Sequence, residues 1–180
     1  MPVIKSAGSL LSAVLLSLLL TGDLFAAGYQ HSLTVDKMTF AWSIEGENIA
    51  IKLAAPTKGW VGIGFHPTEE MKGANIILGF VKDGKVEIED DFGNQPTIHT
   101  EDTKREGKDN VTVIGGSETG DITTLEFSIP LRSDDPNDGS IEPNGDTKVI
   151  LAYGPDRDST KLKHQFAKTI TVNLAGGTMK

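Results

Sequence analysis

Few residues in this chain could hold a soft metal or do imidazole chemistry: it has four histidines, four methionines and no cysteine. Met71 stands in a polar stretch, Pro67 to Lys72, where no regular apolar neighbours ask for a packing methionine. His164 closes a second polar stretch that begins at Pro155, just before a run of strand character. A thioether and an imidazole brought to one mouth could bind a haem iron from opposite faces. The soft sulfur would favour ferrous iron and raise the reduction potential. On residue types alone the plainer alternative is the commoner one, since a lone methionine usually packs and a loop histidine is usually solvated.

Other chemistries lack their residues. There is no H-E-x-x-H pair and no G-x-S-x-G elbow, and Gly59 to Gly64 has neither the order nor the following helix of a phosphate-binding loop. Asp134, Asp135, Asn137 and Asp138 could offer oxygens to calcium, but the closing glutamate of a hard-cation loop is missing, so the expectation is a solvated loop. Asn110-Val111-Thr112 fits the glycosylation triplet, which matters only in a eukaryotic source.

Strands must position these groups. Leu33 and Val35 alternate on one face, as do Met38, Phe40, Trp42 and Ile44, and then Ile49, Ile51 and Leu53 after the turn at Gly46-Glu47-Asn48. Trp60 to Phe65 and Ala74 to Val81 read as further strands, with Asp83-Gly84 turning into Val86 to Ile88. The region from Asp90 to Asn110 is polar and poorly patterned, with one short strand expected around Thr97 to His99. Val111–Ile114, Ile122–Ile129, Val149–Tyr153 and Thr169–Leu174 follow, and the tail from Gly176 is expected to fray. Apolar residues nowhere keep helical spacing for three turns. About ten short strands divided by turn signals predict an all-β, immunoglobulin-like antiparallel sandwich.

Lys5, the apolar run Leu10 to Leu20 and Leu24-Phe25-Ala26-Ala27 match a secretory signal peptide over residues 1–27, cut after Ala26 or Ala27. The apolar run is short for a membrane span, although an uncleaved anchor is the alternative. Residues 28–180 then form a single domain, secreted or periplasmic, with no stable membrane span after cleavage. Lack of cysteine excludes disulfides, thiolate sites, a lipoprotein anchor and C-x-x-C-H haem attachment. The net charge of −8 repels phosphate backbones, so nucleic acid is not an expected partner.

The run Lys58-Gly59-Trp60-Val61-Gly62-Ile63-Gly64-Phe65, then Met71-Lys72-Gly73-Ala74-Asn75, then Ile76 to Phe80, resembles the DOMON domain. This β-sandwich module is related to the cytochrome domain of cellobiose dehydrogenase and the haem subunit of ethylbenzene dehydrogenase. The resemblance spans about Leu33 to Leu174. It implies a non-covalent b-type haem with Met71 and His164 as axial ligands. Three positions depart from the pattern: Asn75 where aspartate is common, His66 where a small polar residue is usual, and Phe166-Ala167 where Arg-Gly often follows the histidine.

Around such a haem, Trp60, Phe65 and Phe80 could form walls, Gly62 and Gly64 could admit the porphyrin plane, and Tyr153 and Arg157 could reach propionates. Each has an ordinary role too, as core, bulge or surface. His99 and His66 are rivals for the second axial position, and His31 is expected to be solvated. The expected function is single-electron transfer or redox sensing, not catalysis, because two axial ligands leave no position for substrate. A membrane cytochrome or an exported oxidoreductase would be the electron partner. The alternative is a haem-free module that binds a carbohydrate or another small ligand.

Overall fold

Alternation of large apolar and polar residues along short strands leaves each strand one face to bury, and two sheets face each other to do so. The computed structural model describes residues 28–180; the leader read over residues 1–27 lies outside them. One sheet has five strands in the order β1 (His31–Val35), β2 (Met38–Glu45), β3 (Asn48–Ala55), β9 (Ile122–Pro130) and β8 (Thr112–Thr119). The other has seven: β12 (Thr178–Met179), β11 (Phe166–Asn173), β10 (Asp146–Tyr153), β4 (Val61–Phe65), β5 (Asn75–Lys82), β6 (Lys85–Gln95) and β7 (Ile98–Glu101). Every strand pair is antiparallel.

Phe40, Trp42, Ile51, Leu53, Leu125 and Phe127 project from the five-stranded sheet and are fully buried. They meet Val61, Ile63, Phe65, Ile77, Val149 and Leu151 of the other sheet in one continuous core. Each such side chain contributes about 1.5–3 kcal/mol through burial. Trp42 also donates its indole N–H to the carbonyl of Leu174 at 2.8 Å, tying the end of the chain to β2. Asp83 and Gly84 both take positive φ, 50° and 73°, in the two-residue turn between β5 and β6, as hairpins of this length require.

Three segments differ from the sequence expectation. β6 does not end near Ile88 but continues to Gln95, because Asp90 and Asp91 are buried and so break the apolar pattern that would reveal a strand. The loop after β9 is not simply solvated: Asp135 and Asn137 are buried, and Asp135 Oδ1 accepts the N–H of Asn137 at 2.8 Å. In the tail, Met179 and Thr178 pair with Val172 and Asn173, where fraying was expected.

Candidate functional site

β4 and β5 carry apolar or small residues at nearly every position and are buried on both faces. Their outward residues therefore need a second cover besides the sandwich core. On that outer face Gly62 lies opposite Leu78 and Ala152, and Gly64 opposite Ile76 and Ile150. Trp60, Ala74, Ile76, Leu78 and Phe80 form a separate apolar cluster there, with Met71, Ile150 and Ala152 against it. A Cβ on Gly62 would stand 2.8 Å from that of Leu78, so glycine keeps the floor flat where a side chain would fill it. Above this floor opens a cavity of about 770 Å³, and both Met71 and His164 line it.

Met71 enters from the loop between β4 and β5, whose backbone is fastened to the β6–β7 hairpin. Its N–H donates to the carbonyl of Pro96 at 3.1 Å, and the Gly73 N–H donates to Gly93 at 2.7 Å. The Gly93 N–H donates in return to Ala74 at 2.9 Å. A Cβ on Gly93 would overlap the Met71 carbonyl oxygen. Gly93 thus permits the approach that places the thioether, a role invisible without knowing which backbone lies opposite.

His164 enters from the loop between β10 and β11. Trp60, on the same face as Gly62, donates its indole N–H to the Leu162 carbonyl at 3.0 Å. Farther along, Thr160 Oγ1 donates to Glu89 Oε1 at 2.9 Å, and Lys161 Nζ lies 3.1 Å from Glu89 Oε2. Gln165 closes the loop through its N–H to Tyr153. Burial, and then the neighbouring Lys163 charge, lower the His164 pKa, favouring the neutral imidazole that can ligate a metal.

His99 lines the same cavity from β7. Its Nδ1 is 2.5 Å from Asp91 Oδ2, and the Asp91 side chain is 1 % exposed. The structure thus brings Met71, His164, His99, Trp60 and Gly62 together. His66 is not among the lining residues; it sits at the end of β4 with φ 57° and a buried, unpartnered Nε2. His31 lies against Trp42, ring centroids 5.3 Å apart.

Phe65, of opposite parity to Gly62 and Gly64, faces the inter-sheet core. Tyr153 stacks on Phe166 at 5.2 Å, and Phe80 lines a separate recess beside Val86 and Ile88. None of these three lines the cavity, nor does Arg157, which is exposed. Lys161, Lys163 and Lys168 do line it. The cluster Lys161-Leu162-Lys163-His164 in an otherwise acidic chain was the available sequence signal for them.

The family model of the DOMON domain matches residues 34–154. The chain is 33% identical over 132 residues to the putative DBH-like monooxygenase protein 2 of Homo sapiens, covering 72% of this chain and 25% of that one. It is 31% identical over 131 residues to DBH-like monooxygenase protein 1 of Mus musculus, covering 71% of this chain and 21% of the other. It therefore spans about a quarter or less of the length of these relatives. Among solved structures, the cytochrome b domain of pyranose dehydrogenase from Coprinopsis cinerea superposes with a TM-score of 0.61 at 13% identity, over 78% of each chain. The cytochrome domain of Myriococcum thermophilum cellobiose dehydrogenase gives 0.55 at 13% identity, over 82% of this chain and 83% of that one. At such identities the likeness is one of fold.

Proposed function

The chain belongs to the DOMON domain family, and from that premise we propose that its cavity holds a non-covalent b-type haem for single-electron transfer or redox sensing outside the cytoplasm. The observation that carries this reading is the meeting of Met71 and His164 in one cavity over the glycine floor. The donor set fits: a soft thioether and an imidazole kept neutral, with no thiolate in the chain to attach the group covalently. The cradle fits too, because side chains at Gly62 and Gly64 would intrude on Leu78 and Ile76. Bound there, the haem would supply a one-electron ferric/ferrous couple.

The chain's own residues do the rest. Met71 would hold the group through its sulfur and His164 through a ring nitrogen, which would leave no ligand position for a substrate. Ile76, Leu78, Ile150 and Ala152 line the cavity and would keep water from the bound group. Lys163, which makes no ion pair among the described residues, and Lys168, held to Asp36 at 3.2 Å, are placed to meet carboxylates at the mouth. His99 is oriented by Asp91 as a metal-bound histidine often is by a carboxylate, which makes it the rival of His164. The electron partner would be a membrane cytochrome or an exported oxidoreductase. Titration of the purified protein with hemin, read by absorption, tests the proposal.

A haem-free small-ligand module is the second reading, favoured by the hydrophilic groups Glu70, Thr97 and Lys161 among the lining residues. A carbohydrate would want an exposed aromatic platform. Trp60, the aromatic ring among the lining residues, is 6 % exposed and its N–H is already used.

A further inference from the structure

On the opposite face of β6 from Asp91 and His99, three carboxylates converge. Asp90 of β6, Asp102 at the start of the short 3-10 turn Asp102–Arg105, and Asp138 of the loop after β9 each offer an oxygen, all within 4.8 Å of one another. Acidic side chains gather without an ion on many surfaces, but here Asp90 and Asp102 are buried and Asp138 is half-buried. Asp102 is 1 % exposed, and neither of its carboxylate oxygens has a hydrogen-bond partner. One oxygen each of Asp90 and Asp138 is likewise buried and unpartnered. Among the described residues no lysine, arginine or histidine forms an ion pair with any of the three. Of the two cations in the same turn, Lys104 pairs with Glu101, and Arg105 lies over the Phe92 ring, 5.3 Å from its centroid.

Buried, unpaired carboxylates at this spacing are strongly destabilising unless they bind protons or a cation. The surroundings orient them as a ligand set. Asn110 donates its backbone N–H to Asp90 Oδ2 at 2.9 Å and its amide Nδ2 to Asp138 Oδ2 at 2.8 Å. Each of those two residues therefore has one oxygen occupied and the other free, an arrangement typical of outer-sphere support. Asp135 stiffens the same loop by accepting the N–H groups of Asn137 and Lys108. The donors are all oxygen, with no imidazole or thiolate, which selects a hard cation. Carboxylates from three separate segments suit the adaptable sphere of calcium better than the strict octahedron of magnesium.

We propose that Asp90, Asp102 and Asp138 form a Ca²⁺ site that fastens the β6–β7 hairpin and the 3-10 turn to the loop after β9. This hairpin also carries Pro96 and Gly93, which anchor Met71, and Asp91, which holds His99. The ion thereby stiffens one wall of the cavity without entering it. The site does not depend on haem, and its test needs none.

Haem-free protein is stripped with a chelator, exchanged into metal-free buffer, and titrated with CaCl₂ by calorimetry and thermal melting, with MgCl₂ and MnCl₂ in parallel. One calcium ion per chain is expected to bind, preferred over magnesium, and to raise Tm by about 5 °C or more at saturation. Asp102→Asn, which keeps the shape and removes a charge, is expected to lose that rise, yet to melt above the wild type in chelator because repulsion is relieved. Asp138→Asn serves the same comparison if Asp102→Asn fails to fold, and is expected to weaken calcium at least about tenfold. Wild type that neither binds calcium nor is stabilised by about 10 mM of it, or that binds magnesium more tightly, overturns the proposal. So does a folded Asp102→Asn that keeps wild-type calcium affinity.

Discussion

The Trp60 indole N–H donates to the carbonyl of Leu162, 3.0 Å away and two residues before His164. One tryptophan thus walls the cavity and fastens the loop that carries the proposed ligand. Trp60→Phe keeps most of the apolar surface but removes the donor, at a cost of about 1 kcal/mol in stability. Hemin affinity is expected to weaken roughly fivefold to tenfold, which a fluorescence or absorption titration will measure. Unchanged affinity would mean that the loop is held without the tryptophan.

Gly93 performs the matching service for Met71. In Gly93→Ala the added methyl group meets the Met71 carbonyl oxygen, which cannot move without breaking the bonds of Met71 and Gly73 to this hairpin. Urea unfolding is expected to show a loss of about 2–3 kcal/mol. The hemin-loaded variant is expected to show weakened methionine ligation in its spectrum. A variant as stable as wild type would show that the Met71 loop can shift freely.

How far the sequence revealed this arrangement depended on how regularly each strand alternates. Trp60, Gly62 and Gly64 share one parity and Phe65 the other, so period-two reasoning along β4 could separate the cavity floor from the core, yet Phe65 reads beside Trp60 as a wall because both are large aromatics. Met71 and His164 stood out because polar loops gave them no packing task. Asp90 and Asp91 defeated the same reasoning, since buried carboxylates look like a loop in a hydropathy pattern. The burial of Asp135 and Asn137 was hidden for the same cause. Gly93 was illegible because its meaning lies in the backbone across from it, and that pairing is set by the fold.

The acidic cluster makes a pH prediction with a definite sign. Burial first, with Asp138 and Asp102 adding to it, raises the Asp90 carboxyl from 3.8 to about 8. Burial and then Asp138 and Asp135 raise Asp102 to about 7. The folded state then holds protons that the unfolded chain releases, so chelated protein is expected to lose stability as pH rises from about 4 to 8. His164, with its lowered pKa, acts oppositely, costing stability as pH falls below the unfolded value of 6.5. The diagnostic is therefore the difference between calcium-loaded and chelated protein at each pH, in which the His164 contribution cancels. Calcium stabilisation measured by denaturant midpoint is expected to grow from pH 5 to pH 8; a flat difference would contradict proton–metal competition at these carboxyls.

The most direct measurement is the absorption spectrum of the purified protein titrated with hemin, in the wild type and in Met71→Ala, His164→Ala and His99→Ala. The account predicts one hemin per chain, with sharp low-spin bands on reduction. Those bands are expected to be lost in Met71→Ala and His164→Ala and kept in His99→Ala. Wild type that takes up no hemin would contradict the central claim, and a low-spin spectrum surviving in His164→Ala but not in His99→Ala would transfer the second ligand to the histidine that Asp91 holds.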